Sequence, residues 1–483
     1  MNARADATDV STDAAVLAQY QCDAGGVYAA RPAAVARPRT VDSLAQCFAD
    51  ARANGLRVAF RGGGESYSGH ALCADGMVVD MTALAPAHPV EIGDGWVRAA
   101  GGHRLGELRE HLRRRGLRVG VDTPAPRATV GGTVSAGGLS GRSYSRGMLA
   151  HHVLALELMG TDGRVWHCDS ARNRDIFHAA LANMGQAGAL LSVTLATEPL
   201  RPHRARLAVA MPSAAFDEFR AALAAHGGVD SLEARIARGR DHGLTLHAHC
   251  AMEASSADEV AAKADAWEDV LRRLCLSTMA GLGGAFAAHQ VQVGNVDDPI
   301  AYTMSANGWR ETPDYRAFLA RASRRGGVRC IPLGVLYDAP DALAAMHALR
   351  PYMTALANDN DNANANADAN SNAALPPYLM MVNAMRDHPN PWLRLSDAHD
   401  QVVALQVPAV FAHSDRRAAM ARFAEAARVA ADLGGRLYPQ AAVPDAELMA
   451  RLLPTPSEAM RRAIAKTDPD GLIVPAWSRC RAL

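Results

Sequence analysis

Apolar residues between Val41 and Asn54 return at helical spacing, with Leu44, Cys47, Phe48 and Ala51 on one face. Gly55 follows, where a helix that ends needs left-handed backbone. A short run at Val58 to Phe60 predicts a strand, and so do Met77 to Asp80 and Trp96 to Ala100. A second helix is predicted at Leu105 to Arg115, closed by Gly116. Val153 to Met159 is an apolar strand. The turn Thr161-Asp162-Gly163 folds Val165 to His167 back onto it. Ala171 to Asn183 is expected to be helical and Leu190 to Thr197 a strand. The pattern breaks at Pro199 to Arg204, where a domain boundary is expected.

The second half carries long Ala-rich helical patterns at Ser213 to Ala225, Ala257 to Cys275 and Arg416 to Leu433. Strand patterns lie between them at Leu244 to Cys250, Val328 to Tyr337, Tyr378 to Met385 and Val403 to His413. Helices covering one antiparallel sheet is the economical arrangement, so the expected class is α+β. Asn358 to Asn372 alternates Asn with Ala or Asp, offers no apolar face, and is expected to be a solvated or disordered loop. The expected units are an N-terminal segment (1–34), a domain over 35–200, a covering domain over 201–445, and a C-terminal segment (446–483) returning to the first domain.

Composition narrows the classes. The 483 residues hold 50 acidic and 50 basic side chains, so nothing points to a nucleic-acid partner. Eight scattered cysteines include no C-x-x-C pair, which argues against zinc or iron–sulfur ligation; no metal site is expected. No stretch approaches a membrane span, and the polar start of the chain lacks a signal-peptide core. A cytoplasmic protein with buried thiols is expected, its oligomeric state open.

Three glycine-rich segments carry the candidate chemistry. The first, Arg61-Gly62-Gly63-Gly64-Glu65-Ser66-Tyr67-Ser68-Gly69, directly follows a strand. Successive glycines can turn backbone N–H groups toward one point and form an anion nest. Taken alone, such a run is as often a tight turn. The second, Thr129 to Gly141, holds five glycines and four small hydroxyl residues. Small bulk permits close approach to a ligand, and Thr or Ser can donate to phosphate oxygens. Val130, Val134 and Leu139 are apolar anchors that a flexible linker would not need. In the third, Asn183 to Leu195, a glycine turn feeds a strand. None of them is the G-x-G-x-x-G dinucleotide fingerprint.

In this order the segments resemble flavoenzymes of the vanillyl-alcohol-oxidase fold, which carry a PCMH-type FAD-binding domain. The resemblance is strongest to cytokinin dehydrogenases and berberine-bridge-like oxidases. It runs from Arg37-Pro38 and Val41 through Asn173 to Phe177 and on to Thr197. A weaker echo stands at Asp468-Pro469-Asp470-Gly471-Leu472-Ile473-Val474-Pro475. The resemblance implies a two-subdomain FAD-binding domain plus a covering domain of antiparallel sheet flanked by helices. It also implies FAD contacts at Arg61, Gly62, Gly63, Gly64, Glu65, Ser66, Thr129, Gly131, Gly132, Ser135 and Val193.

The chain departs from that family where flavin is anchored. Glu65 stands in place of the attachment histidine, and Arg127 in place of the attachment cysteine. Non-covalent FAD is therefore expected, with His70 or Cys73 as substitutes only if the loop is shifted. A carboxylate at Glu65 repels a diphosphate unless it lies at the far edge of the flavin or meets a cation or an Arg partner. The catalytic Asp of cytokinin dehydrogenases is replaced by Pro124. Asp122, two positions away on the same strand face, is a base candidate.

In the second half, His247 and His249 share one strand face and are candidates for a base and a binding group, against the blander reading of a solvent-facing pair. Tyr438 sits where the resemblance brings aromatic hydroxyls toward the flavin; a structural corner tyrosine is the alternative. Tyr302, Trp309 and Arg310 are expected to line the pocket, and Tyr378 and Asn383 to occupy opposite strand faces. The expected activity is hydride transfer from a small organic substrate to flavin N5, with dioxygen as electron acceptor. The alternative is a redox-neutral protein, cyclase- or lyase-like, that keeps the flavin.

Overall fold

The computed structural model describes residues 10–87, 89–123, 125–238, 243–282, 287–295, 328–353, 377–384, 388–412, 416–438, 441, 445–453 and 455–475. Tyr302, Trp309, Arg310 and the run Asn358 to Asn372 lie outside the described residues.

Three sheets organise the chain. The first has four strands, in the order Val10–Ser11, Ala34–Ala36, Met77–Asp80 and Val58–Arg61, and its last three are parallel. The predicted first helix spans Val41–Ala53 and packs on it. Thr40 accepts from the Ser43 amide while Ser43 accepts from the Thr40 amide, so two orphan helix donors are satisfied reciprocally. The C-terminal segment closes this unit. Val58 donates to the Leu472 carbonyl, and Val474 donates back to Val58. Asp468 accepts from Thr161 Oγ1 and from the amides of Leu472 and Ile473.

The second sheet is antiparallel. Its strands run in the order Glu91–Gly93, Trp96–Ala100, Ala189–Pro199, Val153–Met159 and Val165–Asp169, with Leu117–Val119 pairing on Ala189–Pro199. The helix expected over Ala171 to Asn183 is confined to Arg174–Ala180. It starts at Asn173, which holds left-handed backbone, and ends before Leu181 turns extended. The glycine-rich Val130–Ala136 is a short helix. Burial of Val130 and Val134 offsets the conformational cost of its two glycines.

The third sheet has eight strands, all antiparallel. Their order is Ala287–Asn295, His203–Pro212, Leu244–Ala254, Ser231–Arg238, Tyr378–Asn383, Gln401–Ala412, Val328–Asp338 and Arg436–Leu437. One face packs Leu207, Leu246, Leu333, Val335, Met381 and Leu405 against helices that bring Phe216, Phe219, Trp267 and Phe423. The opposite face joins the core of the second sheet through Leu336, Met380, Val382, Ala404 and Tyr438. The covering sheet therefore lies with one face on helices and the other on the glycine-rich half. Four of its strands, His203–Pro212, Ser231–Arg238, Ala287–Asn295 and Arg436–Leu437, were not among those the sequence predicts.

Candidate flavin site

The three glycine segments converge. Gly62 and Gly63 lie so close to Thr129 and Arg127 that a methyl at Gly62 would overlap the Thr129 hydroxyl, and one at Gly63 the Arg127 carbonyl. Behind them Gly131 donates to the Gly101 carbonyl at 2.8 Å, and Gly132 to Thr129 Oγ1 at 3.2 Å. The Met184 amide donates to the Ser135 carbonyl, tying the third segment to the second. Val193 is fully buried at the centre of its sheet, in register with Ala99 and Leu156.

This geometry sorts the expected cofactor contacts. The amides of Gly62, Gly63 and Gly64 find no acceptor among the described residues, whereas those of Gly131 and Gly132 are already spent. Arg61 turns its guanidinium away to the Cys22 carbonyl and the Tyr20 ring, where it backs Gly64. Ser66 accepts from the Ser68 and Ala24 amides. The buried hydroxyls of Thr123 and Thr133 lack a partner among the described residues. Free amides, orphaned hydroxyls and a floor that excludes any Cβ are what a diphosphate needs, so these residues fit the group the resemblance implies.

Glu65 is half-buried, and its Oε1 lies 3.6 Å from Arg127 Nε, so the two altered attachment positions face each other as an ion pair. Of the substitutes, Cys73 is buried with its thiol on the Arg57 carbonyl at 3.5 Å, and His70 is buried.

The candidate catalytic residues separate. Arg109 Nη2 donates to Asp122 Oδ1 at 2.6 Å and Nε lies 2.6 Å from Oδ2, which commits that carboxylate to an ion pair. Tyr438 is buried, and its hydroxyl accepts from the Gly138 amide at 3.0 Å, joining the covering sheet to the second glycine segment. His247 and His249 are half-buried on the sheet face turned to the flavin half. Burial, then the charge of Arg235, lowers the His247 pKa. His249 falls to about 4 through burial, His247, Arg235 and Arg206, and its Nε2 has no partner among the described residues.

Sequence reasoning missed Glu233, which shares that face as the register partner of His249 and Met380. The signal available was the alternation of buried Leu232, Ala234 and Ile236 around two charged residues.

Residues 32–169 match the model of the FAD binding domain family. The chain has the vanillyl-alcohol-oxidase fold. Cytokinin dehydrogenase 1 of Oryza sativa subsp. japonica is 35% identical over 202 residues, 40% of this chain and 38% of that one. An uncharacterized oxidoreductase in the fasciation locus of Rhodococcoides fascians is 30% identical over 184 residues, 38% of this chain and 42% of its own. The chain thus spans about two fifths of the length of the curated relatives it matches. Solved structures extend the likeness over the whole vanillyl-alcohol-oxidase framework. A BBE-like 1 protein of Physcomitrella patens covers 98% of the chain, and 96% of its own, with TM-score 0.69 and 14% identity. A chitooligosaccharide oxidase covers 97% of both chains with TM-score 0.70 and 14% identity. Among the described residues no helix is long and apolar enough to cross a membrane.

Proposed function

We propose that this chain is an FAD-dependent oxidoreductase that holds FAD without a covalent bond and oxidises a small organic substrate, passing the electrons to dioxygen. The observation that carries the reading is the set of Gly62, Gly63 and Gly64 amides without acceptors, inside the stretch that matches the FAD binding domain family. Bound FAD would supply the two-electron acceptor, at N5 of its ring system.

The chain's own residues do the rest. The first-segment amides would hold the diphosphate, and the hydroxyls of Thr123 and Thr133 would take up further polar atoms. Thr129 caps the second segment by accepting from the Gly132 amide and packs against Gly62 of the first. Tyr438 fixes that segment against the covering sheet and presents its ring beside Gly137. His247, held uncharged by burial, is a hydrogen-bonding group on the wall facing the substrate. Asp122 holds the loop before Thr129 to the helix that carries Arg109. The buried Cys47, Cys73, Cys168 and Cys250 form no disulfide among the described residues, which fits a cytoplasmic setting.

Anaerobic mixing of the purified yellow protein with a panel of primary alcohols and amines tests the reading. Bleaching of the flavin band by a member of the panel supports it. A colourless protein that takes up no added FAD, or a flavin that no member bleaches, sinks it.

A further inference from the structure

Glu233 stands on the covering sheet with its side chain toward the glycine-rich half. Its carboxyl meets the second glycine segment: a Cβ at Gly141 would sit 2.8 Å from Oε1, and the Gly141 amide donates to the carboxyl. Leu232 donates to the Gly141 carbonyl at 3.0 Å, so strand and segment are locked at this point.

Two observations separate Glu233 from a structural carboxylate. It forms no ion pair among the described residues, unlike Glu253 in its own sheet and Glu198 in the flavin half. It is also half-buried on the sheet face that meets the second glycine segment, opposite His249. His249 faces it across the strand pair, with its pKa lowered by burial, and the other ionic groups point elsewhere. Arg142 goes to Glu198 and Glu253, Tyr144 to Gln401, and Arg235 acts on His247 and His249. Met380 faces Glu233 from the next strand and is apolar. Burial raises the Glu233 pKa to about 7 against the opposing pull of the Gly141 amide. The carboxyl can therefore exchange a proton near neutrality.

We propose that Glu233 is the base of the site, taking the O–H or N–H proton of the substrate as its C–H hydrogen departs as hydride. The proposal rests on the oxidoreductase reading. The O–H (or N–H) and C–H bonds break, and a C=O or C=N bond forms. The substrate loses two electrons, which leave with the hydride to FAD, and the proton rests on Glu233 until solvent removes it. Primary or secondary alcohols and amines are the substrate class this requires.

The test uses the FAD-loaded protein and two variants. Glu233→Gln keeps an oxygen to accept from Gly141 and removes the base; Glu233→Asp keeps a shortened carboxylate. Without substrate, the infrared difference between wild type and E233Q isolates the carboxyl, which is expected to titrate at about 7. With a panel member that bleaches the wild-type flavin, wild-type bleaching speeds up with pH to a plateau above the same value. E233Q is expected to bleach about 100-fold slower or worse, without that pH dependence, and E233D to recover part of the rate. A Glu233 that titrates like a solvated glutamate, or an E233Q as fast as wild type at equal FAD content, overturns the assignment. If E233Q does not fold, an E233D with the full wild-type rate and pH profile overturns it, because a base moved back by a methylene must lose rate. A wild type without FAD, or one that no panel member bleaches, overturns the oxidoreductase reading and this assignment with it.

Discussion

Glu65, in the first glycine-rich segment, and Arg127, two residues before the second, face each other as an ion pair at 3.6 Å. The family resemblance places flavin attachment residues at both positions. Here neither a histidine nor a cysteine stands at these positions, and their side chains meet each other. Acid precipitation should therefore release FAD into the supernatant; flavin retained in the denatured pellet would contradict this. Arg127 is half exposed, so the pair is screened by solvent and salt. Arg127→Glu sets two carboxylates opposite each other and should weaken FAD binding about 5-fold at low salt, about 1 kcal/mol. The exchange of both residues should restore it. Fluorescence titration with FAD measures both, and a swapped pair no better than R127E alone would show that the pairing does not close the loops.

Gly63 is the sharper probe of the cradle than Gly132. A methyl at Gly132 meets only the Thr129 hydroxyl, at 2.9 Å, whereas one at Gly63 runs into the Arg127 backbone carbonyl, which cannot swing aside. Gly63→Ala should abolish FAD binding and leave the eight-stranded sheet folded. Flavin absorbance per protein checks the first and circular dichroism the second. Normal flavin content in this variant would place the diphosphate elsewhere.

The flavin half was legible because its signals are local. The helix at Val41–Ala53, the hairpin Val153–Met159 with Val165–Asp169, and each glycine run are short-range patterns. His203–Pro212 and Ser231–Arg238 escaped notice because their polar faces look like solvent faces. Arg204 and Glu233 in fact turn toward the other half, Arg204 to meet Glu253 and Glu233 to meet Gly141. The glycine-rich second segment gave its function away by composition but not its helix, which Thr129 caps and two valines bury. No spacing in the sequence could pair Asp122 with Arg109 or Glu65 with Arg127, since those contacts exist only once loops are placed.

The Tyr438 hydroxyl is the acceptor for the buried Gly138 amide. Tyr438→Phe leaves that donor without its partner, at a cost of about 1–3 kcal/mol. A lower unfolding midpoint by urea titration is expected, and bound FAD should raise it less than in wild type. An unchanged midpoint would mean another acceptor replaces the phenol.

His151, His178 and His388 pack between the two halves, with His388 tilted against His151 at a centroid distance of 5.6 Å and edge-on to His178 at 5.4 Å. Burial, with charge repulsion from neighbouring histidines, lowers His151 and His388 to about 4. Their unfolded pKa is about 6.5, so the unfolded chain takes up these protons first. The stability they confer is complete above that value and is lost as pH falls toward 4. His388→Gln should flatten the fall in unfolding free energy between those limits, read by urea titration at several pH values. A slope equal to wild type would exclude this residue.

Glu253 is the strongest link between the two halves. Arg118 and Arg142 reach it from the flavin half and Arg204 from its own sheet, and it is almost fully buried. Burial alone would raise its pKa. The hydrogen bond from Arg118 and the charges of Arg142, Arg118 and Arg204 override burial and hold it at about 2. This stability is present above the ordinary glutamate pKa and is lost as pH falls through the native one. Neutralising it leaves buried guanidinium groups short of a counter-charge, which costs about 3–5 kcal/mol. Glu253→Gln should therefore lower stability at pH 7 by that order and reduce its loss between about pH 4.5 and 2. Because Arg118 and Arg142 also hold Glu198, the substitution should loosen the covering sheet on the flavin half before either unit unfolds. Hydrogen exchange would show this as faster exchange along Leu244–Ala254 and Leu117–Val119 at unchanged rates in the first sheet. Protection lost evenly over all three sheets would mean that Glu253 stabilises the whole chain and does not act as a joint.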